Sequence, residues 1–241
     1  VPAIGRNLGE HPAIGVSAAF GLALGATQAA GGTEQAFDER MARLYEIMRQ
    51  ARRRGVASRD LERQLGLTLI TAGRPAEAIQ VLEPLAREHA AGDPGAADPG
   101  DAEAESFLAL AYTYLGRYDE AESIFRRLLA AHPADARIHE NLSFLAITRQ
   151  RYQEAREHAR RALDLDPGLV SSWNNLGVAL YHLDLKPQAI DAWQRSLALA
   201  PGDADTLLNL GLVQADVGDR DAARQTLARF LEVAPGPAYE A

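Results

Sequence analysis

The chain has no cysteine. That excludes disulfides, zinc–thiolate sites and thiol nucleophiles, and it suits a reducing cytoplasm and a cysteine-free exported protein equally. Nor is there a surplus of positive charge: the net charge is −8 at pH 7 over 241 residues. Nucleic acid is therefore not expected as a general partner, because phosphate binding rests on clustered cations. Catalytic signatures are missing too. No Gly-x-Ser-x-Gly elbow and no glycine-rich phosphate loop occurs, and the glycines of the periodic region fall at turns or helix crossings. The six histidines are His11, His89, His132, His139, His158 and His182. His89 and His132 fall at helix ends, where an imidazole helps satisfy terminal carbonyls. Glu154 and His158 stand four apart on one helix with no third ligand at metal spacing, so neither a metal nor a cofactor is expected. Carboxylates such as Glu103, Glu105, Glu120 and Glu122 are expected on solvated outer faces. None of this supports catalysis.

What the chain does have is a period. Ala78, Ala121, Ala155, Ala189 and Ala223 recur, the last four 34 residues apart and the first gap being 43. Each follows by thirteen residues a leucine and a small residue: Leu65-Gly66, Leu108-Ala109, Leu142-Ser143, Leu176-Gly177 and Leu210-Gly211. Pro133, Pro167, Pro201 and Pro235 keep the same register. A fixed spacing of this length means a stack of two-helix units. The units are 102–135, 136–169, 170–203 and 204–237, with a looser copy at 59–92. In the unit at 170–203 the marked positions are Trp173, Leu176, Gly177, Leu180, Ala189, Trp193, Ser196 and Pro201. This pattern resembles the tetratricopeptide repeat (TPR), over about three quarters of the chain. The resemblance implies an all-α fold, a right-handed α-solenoid of stacked helix-turn-helix repeats.

Each marked position has a mechanical reading. The small residue of the first helix and the alanine of the second let the pair cross closely, and the leucines fill the seam. Phe125, Trp193 and Leu227 are expected to serve the next unit. Gly73, Gly116 and Gly218 suit a left-handed helix end, which Gln150 and Asp184 must make without glycine. Asp101, Asp135 and Asp203 are expected to cap first helices. Pro75 and Pro187 fall in a first turn, whereas Pro84 lies inside a second helix and predicts a kink.

Outside the repeats the sequence leaves alternatives. Residues 93–101, with two Asp-Pro-Gly turn signals, read as an exposed loop. Phe37, Met41, Leu44, Met48 and Ala51 make one helical stripe within 33–55, whose basic last turn suits a helix C-terminus. Residues 1–32 form an apolar N-terminal segment, and 12–33 carry no charge. A secretory signal, a membrane-spanning helix and an arm lying on the repeats all remain open. An exported or membrane-associated location is slightly favoured over the cytoplasm. The first residue is Val1, which is also consistent with the regulatory region of a larger enzyme. Leu227, Phe230 and Leu231 on the last helix leave self-association open.

The resemblance further implies a concave groove lined by the first helices at their second, fifth, sixth, ninth, twelfth and thirteenth positions. Sixth positions supply Asn141, Asn175 and Asn209, each with donor and acceptor groups for a peptide backbone. Ninth positions include Leu110, Phe144, Val178 and Leu212, which make an apolar floor. Tyr114, Tyr181 and His182 add an aromatic rim, and Arg137 is the only base among the second and fifth positions of the four units from 102 to 237. A clamp for a C-terminal carboxylate is therefore not expected. The reading is a non-catalytic protein-interaction module, an adaptor or scaffold that holds a partner's peptide or helix. An envelope-associated assembly subunit anchored by its N-terminal segment is the rival.

Overall fold

The computed structural model describes residues 59–91 and 99–233. All regular structure among them is helical. In order the helices are α1 (Arg59–Thr71), α2 (Pro75–Ala91), α3 (Pro99–Tyr114), α4 (Tyr118–Ala131) and α5 (Ala136–Thr148). They continue as α6 (Tyr152–Leu165), α7 (Val170–His182), α8 (Lys186–Leu199), α9 (Ala204–Asp216) and α10 (Arg220–Val233). Residues 1–32 and the helix expected within 33–55 lie outside the described residues, as do 92–98 and 234–241.

The described residues divide inside α4 into two compact units, one ending at Ile124 and the other beginning at Phe125. In the first, α1 packs on α2 and both contact α3. In the second, each helix from α5 to α10 packs on the next, and first helices also meet one another, α5 with α7 and α7 with α9. One repeat is a 13-residue helix, a short turn and a 14-residue helix.

The turns within repeats follow one design. Gly73, Gly116 and Gly218 have φ of 74°, 74° and 86°, and Gln150 and Asp184 take the same left-handed conformation at 57° and 60°. In every case the next residue's N–H reaches back five positions. Arg74 donates to the Leu69 carbonyl at 2.8 Å, Arg117 to Tyr112 at 2.9 Å and Arg151 to Ala146 at 2.8 Å. Leu185 to Leu180 and Asp219 to Gln214 repeat it at 2.9 Å. These bonds close the helix ends in the Schellman manner, so the turn survives without glycine at residues 150 and 184.

The helix crossings are equally regular. Ala78, Ala121, Ala155 and Ala189 are fully buried and Ala223 nearly so. A β-carbon on Gly66 would collide with Leu82, and one on Gly211 would lie 2.6 Å from Leu227 Cδ2. Ser143 replaces the small apolar residue in its repeat and donates its hydroxyl to the Ala155 carbonyl at 2.9 Å. Trp193 and Leu227, expected to serve the next unit, thus fill the crossing of their own repeat.

Several local expectations change. Pro99, Gly100 and Asp101 open α3, because proline at a helix start gives up only an N–H that has no helical partner. Asp101 therefore lies inside the first turn, while Asp135 accepts from Arg137 N and Asp203 from Thr206 N, each at 2.8 Å. Pro84 lies inside α2, where the sequence places it. Glu105 and Glu122 are buried and not on a solvated face. Glu105 stands in register with His139 and Trp173, at a position that faces inward, and neither carboxylate is left without a partner. On α10, Phe230 packs inward whereas Leu231 is 75% exposed; Leu163 and Leu197, in register with it, are 8% exposed each.

Candidate functional site

Because α5, α7 and α9 touch in sequence, they form one layer of the second unit, and most of the expected groove residues lie on it. Helix α5 carries Arg137, exposed, with Asn141 and Phe144 half-buried. Helix α7 carries Asn175 and Val178, both buried, then Tyr181, half-buried, and His182. Helix α9 carries Asn209, buried, and Leu212, half-buried. Leu110 and Tyr114 are half-buried on α3, in the other unit. Phe144, Val178 and Leu212 stand 34 residues apart at matching positions of the three helices.

The amides are more constrained than the sequence implied. Trp193 Nε1 donates to Asn174 Oδ1 at 2.9 Å, and Asn209 Nδ2 donates to the same oxygen at 3.1 Å. Asn175 Nδ2 approaches the Glu140 carbonyl at 3.5 Å. Two of the three expected asparagines thus spend an N–H on the preceding repeat, tying first helices together. Asn141 has no such bond among the described residues. Asn174 and Glu140 stand at fifth positions, weighed from sequence only for a basic clamp, and Ser172 was not singled out. The signal for Asn174 was available, since a buried indole N–H needs an acceptor.

Charge around this layer is sparse and mostly acidic. Ser172 donates to Glu140 Oε2 at 2.9 Å. Burial pushes the Glu140 carboxyl above its ordinary range, opposed by that hydroxyl and by Arg137. At the far end Lys186 Nζ meets Asp216 Oδ2 at 3.0 Å, joining α8 to α9. That contact holds the Lys186 ammonium above its usual value. The aromatic rim extends beyond the expected residues: His182 stacks on Tyr152 with centroids 4.1 Å apart and meets Tyr181 edge-on at 5.5 Å. His182 is exposed, yet partial desolvation of its stacked ring lowers its pKa, and burial, then Asp216, raises that of Tyr181.

Behind this layer His158 pairs with His139, with Nδ1 atoms 3.0 Å apart. Among the described residues no group of three or more potential metal ligands comes together, and no helix is long and apolar enough to cross a membrane.

The inner layer, the five matching turns and the small-residue crossings set a definite repeat, and comparison with known proteins names it. Models of the tetratricopeptide repeat match residues 63–136, 107–170 and 145–204, and another matches 205–236. The chain belongs to the tetratricopeptide-repeat family. A thermophilic TPR protein of Thermus thermophilus is similar in structure, with a TM-score of 0.65 and 20% identity, covering 75% of this chain and 93% of that one. PilF of Pseudomonas aeruginosa gives 0.61 and 22%, covering 73% and 76%. MamA from Desulfovibrio magneticus RS-1 gives 0.56 and 20%, covering 73% and 94%. At these identities the likeness is one of fold. No curated protein matches the sequence. Tetratricopeptide repeats mark the chain as a protein-interaction module at the level of its family.

Proposed function

We propose that this TPR protein is a non-catalytic adaptor whose first-helix layer α5–α7–α9 holds a segment of a partner protein. One observation carries the reading. Apolar side chains from three consecutive repeats, Phe144, Val178 and Leu212, occupy the same register on helices that touch, beside amides that can bond a backbone. That mixture of apolar anchors and a few directed polar groups is what peptide-binding surfaces require. With Arg137 the one base at the second and fifth positions of the four regular repeats, no basic clamp is formed there, which argues for an internal segment of the partner and not its C-terminal carboxylate.

The test is selection of a random-peptide display library on the full chain. Peptides recovered on the parent protein are expected to lose most of their binding to the double variant Phe144→Ala, Asn175→Ala, with helicity by circular dichroism unchanged. Undiminished binding to that variant would place the docking surface elsewhere.

A further inference from the structure

We propose that Trp193, which lies on a second helix outside the docking layer, is a positioning residue that makes the centre of that layer a hydrogen-bond acceptor. The inference rests on the docking layer proposed above and specifies its chemistry. An indole Nε1–H can only donate. Asn174, 7% exposed and 2.9 Å away, must therefore turn its oxygen toward Trp193. That leaves Asn209 no choice. Facing the same oxygen at 3.1 Å, it must present its NH2, which places its own oxygen on the opposite side of the amide.

Asn175 arrives at the same orientation by a separate route, since the Glu140 main-chain carbonyl can only accept. Neither the Asn175 nor the Asn209 oxygen has a protein partner among the described residues. Neither is among the fully buried atoms left unpaired, and Asn175 and Asn209 keep 9% and 6% of their surface exposed. Two successive repeats thus offer acceptors. The guest that satisfies them supplies N–H groups: a stretch of extended polypeptide with free backbone amides, its apolar side chains on Phe144, Val178 and Leu212.

Substitution by aspartate reads the orientation without any guest. Asn174→Asp keeps an acceptor for both donors and is expected to leave the melting temperature at pH 7 nearly unchanged. Asn209→Asp sets acceptor against acceptor in a site that is 6% exposed, and is expected to lower it by several degrees. Trp193→Phe frees Asn174 to turn its NH2 toward residue 209, so the Asn209→Asp penalty should shrink in that background. Equal penalties for the two aspartates, or an Asn209→Asp penalty indifferent to Trp193, would overturn the orientation.

Display-selected peptides read the consequence. Those recovered on the parent chain should bind Trp193→Phe several-fold more weakly, and equal binding would overturn the positioning role. Peptides that bind Phe144→Ala, Asn175→Ala undiminished would instead remove the docking layer, while the melting comparison still decides the amide orientation.

Discussion

The indole of Trp193 lies over Gly177 so closely that a β-carbon there would stand 2.5 Å from Nε1. Trp193 itself is 3% exposed. Burying an aromatic of this size removes roughly 200 Å² from water, about 5 kcal/mol at the usual area coefficient and before entropy. Gly177→Ala would force that ring aside. Overpacking of this kind costs about 1–3 kcal/mol and outweighs the gain of roughly 1 kcal/mol in helix propensity. A lower midpoint in urea denaturation is the expected result, and an unchanged or higher one would mean that α7 and α8 cross more loosely.

Gln150 marks a place where the sequence opposes the fold. Its left-handed backbone, φ 57°, is one that residues other than glycine adopt at a cost of about 1 kcal/mol. Gln150→Gly should therefore raise stability by roughly 0.5–1 kcal/mol. Asp184→Gly should give less, because aspartate tolerates the conformation better and its carboxylate also lies 3.8 Å from Lys186 Nζ. Thermal unfolding of the two variants against the parent checks both the sign and the order.

The His139–His158 pair makes a pH prediction. Both rings lie below the ordinary value of 6.5, chiefly through burial. Arg161 adds to this for His139, against the Pro133 carbonyl and Asp135, which pull the other way. For His158 the added factor is His139 itself, opposed by Glu154 and Glu157. A bond between two Nδ1 atoms needs a lone pair on one of them, so it cannot survive with both rings charged. Depressed folded values mean stability that is present above pH 6.5 and is lost as pH falls through them. Glu140 works in the opposite sense, since its raised value favours the neutral folded form and lowers stability as pH rises above 4.5. The melting temperature should fall between pH 7 and pH 5, and His158→Asn, which can still bond His139 without a charge, should fall less. Equal losses in the two proteins would contradict the role given to the pair.

The fold was legible because one spacing repeats. Leu-small, alanine and proline marks fix the helices, their crossings and their turns, and the structure keeps each of these features through residues as different as Gly218 and Gln150. Side-chain direction was less legible. Asn174 and Trp193 are nineteen residues apart on different helices, as are His139 and His158, and only the packed repeat shows that those positions face each other. Glu105 was misplaced for a related reason: a charge was weighed by its type, while its register with Trp173 placed it inside. The start of α3 was misread because an Asp-Pro-Gly segment can end a loop or begin a helix, and Pro99 does the second.

Chemical-shift mapping of a display-selected peptide, titrated into the isotopically labelled full chain, tests the central claim most directly. Shifts concentrated at Phe144, Val178, Asn209 and Leu212, on α5, α7 and α9, are the expected result. Shifts confined to the second helices α6, α8 and α10 would show that partners dock on the other face, and would contradict the account.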